Sequence, residues 1–438
     1  MKLKVLKFGG SSLADAVQMK KVAAIVKADA ACRYVIPSAP GKRFSGDEKV
    51  TDLLYRCHEL SKKDEDISPV FEIIKNRYRD IIKGLEIDLS LEEEFKRIEV
   101  SINHHAGRDY IASRGEYLNG IILAAYLGFD FVDPAEAILF RDNGSFDDEV
   151  TNDTLGALLK KHEYAVIPGF YGSMPNGTIK TFSRGGSDIT GAIVARAACA
   201  DIYENWTDVS GFLMADPRIV KNPHPISTIT YRELRELSYM GATVLHDESI
   251  FPVRVAGIPI NIRNTNDPSA KGTMIVASAE GIDDNSVVTG IAGKKGFSII
   301  SLEKDRMNSE LGFGRKVLEV LERLGISFEH LPSGVDTMCI VVATAAIEGK
   351  KEQIMEGICR SVSPDSIAID DGLALIEVVG RGMVAAKGTA QRIFGAIADA
   401  DINIKMIDQG SGELNIIIGV RETDYEAAID AIYRAFED

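Results

Sequence analysis

The chain has 438 residues, 45% of them hydrophobic and 26% charged, and a formal net charge of −15. That length provides for roughly two to four domains, and that charge excludes general affinity for nucleic acid or an anionic membrane surface. No apolar run approaches a membrane span, and the five scattered cysteines (Cys32, Cys57, Cys199, Cys339, Cys359) form no C-x-x-C pair. They read as reduced thiols of a cytoplasmic protein, and the N-terminus shows no signal-peptide core. An acidic protein that handles anions must gather its cations locally, which gives weight to Lys and Arg beside glycine turns.

The first such place is Lys4-Val5-Leu6-Lys7-Phe8-Gly9-Gly10-Ser11-Ser12, a short apolar strand, a Gly-Gly turn, two hydroxyls and then a helical pattern over 15–31. The spacing predicts a phosphate cradle: the glycines permit positive φ and close approach, turn amides and a helix start face the anion, and Lys7 adds charge. No G-x-x-x-x-G-K-[ST] loop is present. Arg33–Ile36 reads as a second strand, ending in Pro37-Ser38-Ala39-Pro40-Gly41 where α/β sheets commonly meet ligands. Residues 42–50 read as a polar, mobile loop, and Thr51 as the cap of a helix. Residues 55–110 form a charged helical excursion, in which His104-His105 lacks further ligands at metal spacing. Ser113-Arg114-Gly115-Glu116 precedes a helix with Leu118, Ile121, Ile122 and Ala125 on one face; Glu116 suits a helix start on dipole grounds alone.

After a strand near 129–132 and a helix over 149–161, residues 164–168 read as a strand that turns at Gly169–Gly172 into a hairpin with 178–182. Ser183-Arg184-Gly185-Gly186-Ser187-Asp188 then repeats the strand, Gly-Gly turn and helix (189–200) design, with Arg184 placed to grip a carboxylate or phosphate. The strand at 201–206 leads into Thr207-Asp208 and Asp216-Pro217-Arg218; a helix follows from Thr228 to Ala242, and 259–263 reads as the last strand. This alternation predicts a doubly wound sheet with ligand loops along one edge, and a domain boundary near 280.

Beyond 280 the chain repeats itself at an offset of 76: Gly296 matches Gly372, Met307 Met383, Gly312 Gly388, Ile326 Ile402 and Gly334 Gly410. Each copy reads as strand, loop, helix and two strands (297–302, 312–324, 327–331 and 337–342; then 373–379, 388–400, 403–407 and 414–420). Neither copy carries catalytic chemistry, so small-ligand binding or subunit pairing is the natural use of a two-copy module.

Together these motifs resemble aspartokinase, an enzyme of the amino acid kinase fold with C-terminal tandem ACT domains. The resemblance rests on Lys7–Ser12, Ser38-Ala39, Thr51 with Leu53-Leu54, Arg114-Gly115-Glu116, Arg184–Asp188, Thr207-Asp208, Asp216-Pro217-Arg218 and Met406–Ser411. It implies an α/β fold with a mainly parallel sheet sandwich, followed by two ACT-like βαββαβ domains. The expected limits are 1–280 for the catalytic domain and 281–360 and 361–438 for the ACT copies, which can interleave. It also implies transfer of a phosphoryl group from MgATP to the β-carboxylate of L-aspartate, the first step towards lysine, threonine and methionine.

Carried over residue by residue, the resemblance puts Lys7, Gly9, Gly10, Ser11 and Ser38 on the ATP phosphates, with Thr207, Asp208 and Arg218 on the nucleotide. Arg184 would hold the aspartate α-carboxylate and Glu116 its ammonium, aided by Thr51 and Ser187. Asp188 would face the amino group and the catalytic Lys7. Mg²⁺ is expected on nucleotide oxygens and water, not in a protein-only cage. Lysine, threonine or both would be the effector, met by Met307, Glu329 and Ser333, and the ACT copies would pair chains into a homodimer or homotetramer. Two positions depart from the family pattern: Thr243 stands where an ATP-contacting lysine is usual, and Leu213 where a tyrosine often packs, with Arg218 or Lys221 as substitutes. The competing readings are a non-catalytic amino-acid sensor with a decayed kinase core and a kinase of glutamate or carbamate. Intact Lys7, Glu116, Arg184 and Asp188 argue against the first, and Arg114-Gly115-Glu116 with tandem ACT copies against the second.

Overall fold

The computed structural model describes residues 2–183, 185–242, 245, 250–279, 286–410 and 412–437. Arg184, Thr243 and the expected boundary at 280 therefore lie outside the described residues. The chain forms two compact units: residues 1–212, 225–231 and 244–280, and residues 213–224, 232–243 and 281–438.

In the first unit β1 (Lys4–Phe8), α1 (Ala16–Lys27), β2 (Cys32–Pro37), α2 (Val50–Ser61), α3 (Ser68–Leu85), α4 (Glu92–Asn103) and α5 (Arg108–Leu127) follow one another. Next come β3 (Asp130–Phe131), α6 (Asp148–Leu159), β4 (Ala165–Val166), β5 (Tyr171–Ser173), β6 (Ile179–Thr181), α7 (Gly186–Ala197) and β7 (Ile202–Thr207). The unit ends with β8 (Thr228–Thr230), α9 (Phe251–Ala256), β9 (Ile260–Asn264) and β10 (Thr273–Val276); the intervening α8 (Tyr231–Tyr239) passes into the second unit.

Eight strands form one sheet in the order β3-β4-β2-β1-β7-β9-β10-β8. Every pair is parallel except β9–β10. Because side chains alternate along a strand, β1 sends Leu6 and Phe8 into the core shared with α1 to α5, where Trp206 of β7 joins them. Lys7 between them faces the other way, towards α7, which packs on β1, β2 and β7.

Five local expectations are corrected. Thr51 is not a cap: α2 starts at Val50 with Lys49 before it, so Thr51 sits inside the first turn. Glu116 is not at a helix start but in the middle of α5, because Arg108–Ser113 already follow the helical period. The hairpin joins Tyr171–Ser173 to Ile179–Thr181, while Ala165-Val166, flat against β2 and β3, belongs to the main sheet. Residues 259–263 are not the last strand; β10 follows after the turn-rich segment, and Thr228–Thr230 is a strand paired to it, not the start of a helix.

The second unit holds α8 from Arg232 onward, then β11 (Gly290–Glu303), α10 (Phe313–Arg323), β12 (Thr337–Ala343), α11 (Thr344–Ile347), α12 (Lys351–Val362), β13 (Ser366–Val379), α13 (Thr389–Asp399), β14 (Met406–Asp408), β15 (Asn415–Arg421) and α14 (Tyr425–Ala435). Its sheet, β12-β11-β13-β15-β14, is antiparallel throughout. The two long strands serve two cores. Ile300 and Leu302 of β11 pack with α10 and α12, and Ile367 and Ile369 of β13 pack against the same core. Ile291 of β11 and Ile376 and Val378 of β13 pack with α13 and α14. The two ACT-like halves are thus interleaved by strand exchange.

Two of the three matched glycine pairs of the repeat have a conformational reason. Gly296 and Gly372 take φ of 94° and 80°, and Gly312 and Gly388, which precede α10 and α13, take 77° and 88°, a region open to glycine at little cost. Residues 327–331 form no strand; they reach β12 only through an isolated bridge from His330 to Val341. Residues 213–224 fold into this unit because Met214, Ala215 and Val220 join the core of α13 and α14.

One buried carboxyl gives this unit a pH response. Glu377 on β13 accepts a hydrogen bond from Asn415 of β15 and faces Glu236 of α8. Burial first, and then the Glu236 carboxylate, push its pKa above the ordinary carboxylate range. The folded chain therefore keeps a proton that the unfolded chain releases near pH ~4.3. Stability from this group is full below that value and is lost as pH rises through the folded value. Glu377→Gln should raise the melting temperature at pH 8 by a few degrees and change it little at pH 5, as calorimetry at the two pH values would show.

Candidate active site

A cleft of ≈ 700 Å³ opens at the C-terminal ends of β1, β2 and β7, where parallel α/β sheets place their ligands. It is lined by Lys7, Gly9, Gly10, Ser11, Ser38, Thr51, Glu116, Ser187, Asp188, Thr207 and Asp208. Eleven positions singled out from the sequence, spread over two hundred residues, thus meet in one place.

The two glycine turns reach the cleft by different means. Gly9 has φ −69°, so the first turn does not use the left-handed region that its glycines allow. Gly10 is needed for space instead. A Cβ there would lie 2.9 Å from the Ala39 carbonyl oxygen and 3.2 Å from the Gly41 nitrogen, and Gly41 N–H donates to the Gly10 carbonyl at 2.8 Å. The loops after β1 and β2 are pressed together at backbone distance. The second turn does use positive φ: Gly185 has φ 58° and starts α7. Gly186 leaves room for Phe170, and a Cβ on Gly169 would fall 2.6 Å from the Ser187 side chain. Neither the short helix at Gly10–Leu13 nor α7 has a side-chain cap. Their first N–H groups lack intrahelical acceptors and are suited to anion oxygens.

Lys7 is 8% exposed, and its Nζ lies 2.7 Å from Asp188 Oδ1. Asn205 on β7 stands beside both. It is in register with Lys7, its Nδ2 donates to Asp188 Oδ1 at 2.7 Å, and its Oδ1 accepts from Lys7 Nζ at 3.4 Å. Nothing in the local sequence marks Asn205; the register of β1 and β7 does.

The Arg114-Gly115-Glu116 motif divides its work along α5. The Arg114 guanidinium is buried among the rings of Tyr110, Tyr117 and Tyr171, at 4.4–5.2 Å. Gly115 admits the loop after β2, since a Cβ there would lie 2.9 Å from Ala39 Cβ. Glu116 reaches the cleft almost fully buried, with no hydrogen-bond partner for its Oε2 among the described residues. Burial lifts its carboxyl to about 8, opposed by backbone N–H bonds and the Arg114 charge. A carboxyl oxygen left without a partner at that depth is suited to a hydrogen-bond donor brought in by a ligand.

Sequence reasoning missed the basic rim. Lys42, Arg43 and Lys49 also line the cleft. The loop read as mobile is tied down: Asp47 takes two bonds from the Arg43 guanidinium (2.8 and 3.1 Å), one from the Arg43 backbone N–H (3.0 Å) and one from the buried Arg77 of α3 (2.7 Å), whose Nη1 also donates to the Gly41 carbonyl at 3.0 Å. The signal was present as two cations directly after a Pro-Gly turn.

The remaining predicted positions are placed differently. Arg218 belongs to the second unit, is 87% exposed along its side chain, and holds Asp216 at 2.6 Å. Met307 is packed into a core, Glu329 accepts the Tyr239 hydroxyl, and Ser333 Oγ donates to the Leu331 carbonyl. Arg184 and Thr243 lie outside the described residues.

A parallel sheet with two uncapped glycine turns facing a lysine–aspartate pair is the frame of a small-molecule phosphotransferase. The amino acid kinase family model matches residues 2–264, and an ACT domain model matches 376–436. Aspartokinase 3 of Bacillus subtilis is 39% identical over 99% of this chain and 98% of its own. The crystal structure of Clostridium acetobutylicum aspartate kinase, described as an allosteric enzyme, is 52% identical with a TM-score of 0.92, covering all of both chains. Escherichia coli aspartokinase III, solved with lysine and aspartate, is 25% identical with a TM-score of 0.74, again over all of both chains. The chain belongs to the amino acid kinase family and, within it, to the aspartokinases. The reading as a decayed sensor is set aside: the lysine, the aspartate and the buried glutamate are all in place.

The contact between the first two loops can be tested directly. Gly10→Ala sets a methyl against backbone on both sides and should cost about 1–3 kcal/mol, read as a lower denaturant midpoint. An unchanged midpoint would mean that the turns part freely.

Proposed function

We propose that this chain transfers the γ-phosphoryl group of MgATP to the β-carboxylate of L-aspartate, giving 4-phospho-L-aspartate. The observation that carries the reading is the Lys7–Asp188 pair, 2.7 Å apart, set between two uncapped glycine turns, with the buried Glu116 carboxyl in the same cleft. The nucleophile, with an intrinsic pKa of about 3.9, is already ionised at neutral pH and needs no general base. What it needs is positioning beside another anion, which costs several kcal/mol if uncompensated.

Lys7 and the first N–H groups of the two turns supply that compensation. Gly9, Gly10, Ser11 and Ser38 hold the ATP phosphates, and Thr207 and Asp208 the rest of the nucleotide. Glu116, Thr51 and Ser187 hold the aspartate, and Asp188 orients Lys7. Arg184 enters as the partner of the α-carboxylate, and Arg218 as a nucleotide contact, from their sequence motifs. The cleft offers oxygen donors and, among the described residues, no Cys or His, which suits a hard cation. Phosphate oxygens and water would carry Mg²⁺, which neutralises charge on the transferring group. The ACT-like halves are the place for lysine and/or threonine as effector and for pairing into a homodimer or homotetramer; the E. coli relative was solved with lysine.

ADP release from MgATP should depend on aspartate and not on glutamate, and lysine or threonine should change the rate. No aspartate-dependent turnover would overturn the assignment. Lys7→Ala should lower kcat by about 10²–10³-fold, the scale of one lost transition-state donor, with the aspartate KM within a few fold. The Glu116 carboxyl, near 8 in the free protein, must ionise to hold an ammonium. The aspartate KM should therefore fall as pH rises from 6 to 8 and then level, and Glu116→Gln should raise the KM and flatten that dependence. A KM flat with pH in the unaltered chain would remove Glu116 from this role.

A further inference from the structure

Asp188 presents a difficulty to its own partner. A carboxylate 2.7 Å from an ammonium tends to take that charge for itself, by turning both oxygens onto it or by drawing the lysine away from the cleft. The structure holds the pair in a different arrangement. Asp188 Oδ1 alone accepts from Lys7, and the same oxygen accepts from Asn205 Nδ2 at 2.7 Å. Oδ2 takes no hydrogen bond from any described residue, and the side chain is 17% exposed at the cleft.

Asn205 has only one workable orientation here. Reversed, its amide oxygen would face a carboxylate and its NH₂ an ammonium. As placed, its Oδ1 takes a second Lys7 N–H, at 3.4 Å. An ammonium has three N–H donors. One goes to Asp188 and one to Asn205, and the third is left for a phosphoryl oxygen. The placement is firm: Asn205 is 3% exposed, and β7 is hydrogen-bonded to β1 with Asn205 level with Lys7. Two residues earlier on the same face, the Tyr203 hydroxyl donates to the Asp188 carbonyl at 3.2 Å. Strand β7 thus grips the first turn of α7 by backbone and by side chain at once.

We propose that Asn205 is a positioning residue for phosphoryl transfer: it fixes the rotation of the Asp188 carboxylate and aims the free N–H of Lys7 into the cleft. The proposal rests on the phosphotransfer reading of this site. It assigns Asn205 an effect exerted through Lys7, so the loss on removing it must disappear when Lys7 is absent.

The test is a double-mutant cycle in the full chain. Asn205→Leu, matched in size, and Asn205→Ala are each made alone and together with Lys7→Ala, with kcat and both KM values measured. Alone, each should lower kcat by about 10–100-fold while the KM for MgATP and for aspartate stays within about threefold. On the Lys7→Ala background the same substitutions should cost less than about threefold in kcat. A kcat within threefold of the unaltered chain, or an equal loss with and without Lys7, overturns the proposal. If Asn205→Leu fails to fold, as circular dichroism would show, Asn205→Ala carries the cycle. Failure of the unaltered chain to phosphorylate aspartate is a separate result and would overturn the reaction assignment instead.

Discussion

The buried ion pair of Lys7 and Asp188 is the interaction on which the rest of the first unit depends. A lysine near the floor of a cleft is costly to bury alone, and a fully satisfied one has no charge to lend. The pair resolves this by being three-membered: Asp188 holds the ammonium in place, and Asn205 limits how far the carboxylate can claim it. That geometry needs β1 beside β7 in one register and α7 entering over them from a left-handed glycine. The parallel sheet, with connections crossing over its faces, is what makes such neighbours out of residues some two hundred positions apart.

Around the pair, the cleft is built by close approach of backbone to backbone. Gly10 and Gly41 bring the loops after β1 and β2 together, Gly115 lets α5 lie on Ala39, and Gly169 accepts Ser187. Each is a place where a methyl group would separate two walls of the site. The helical excursion contributes from outside. Arg77 of α3, buried beneath the loop after β2, joins the Gly41 carbonyl to Asp47 and so holds the basic rim of Lys42 and Arg43 over the cleft. Glu116 is the counterpart on the opposite sign, a carboxyl whose pKa burial raises.

The second unit solves a separate problem. Two short βαββ copies each bury too little to be secure alone, and the exchange of halves between β11 and β13 makes them one sheet with two cores. Two of the three equivalent glycine pairs sit where each long strand bends and where each helix begins, so there the repeat in sequence is a repeat of backbone conformation.

Much of this was legible in the amino-acid sequence. Strand-turn-helix periodicity, the paired Gly-Gly turns with their cations, and the offset of 76 are local or self-similar signals, and they sufficed for the α/β sheet and for eleven of the positions that line the cleft; the family came from the resemblance of whole motifs. Local signals also misled where two structures share one pattern: Glu116 reads as a helix start because a carboxylate there suits the helix dipole, yet α5 began two turns earlier. Which residues become partners was a different matter. Asn205 has an ordinary strand environment, Arg77 is one cation among many on charged helices, and the strand exchange of β11 and β13 leaves no mark in either copy. Sequence determines what each segment is able to form, because propensity and periodicity act over a few residues. Only the tertiary structure decides which strands lie side by side and in what register, and the charge and hydrogen bonding of the site follow from that.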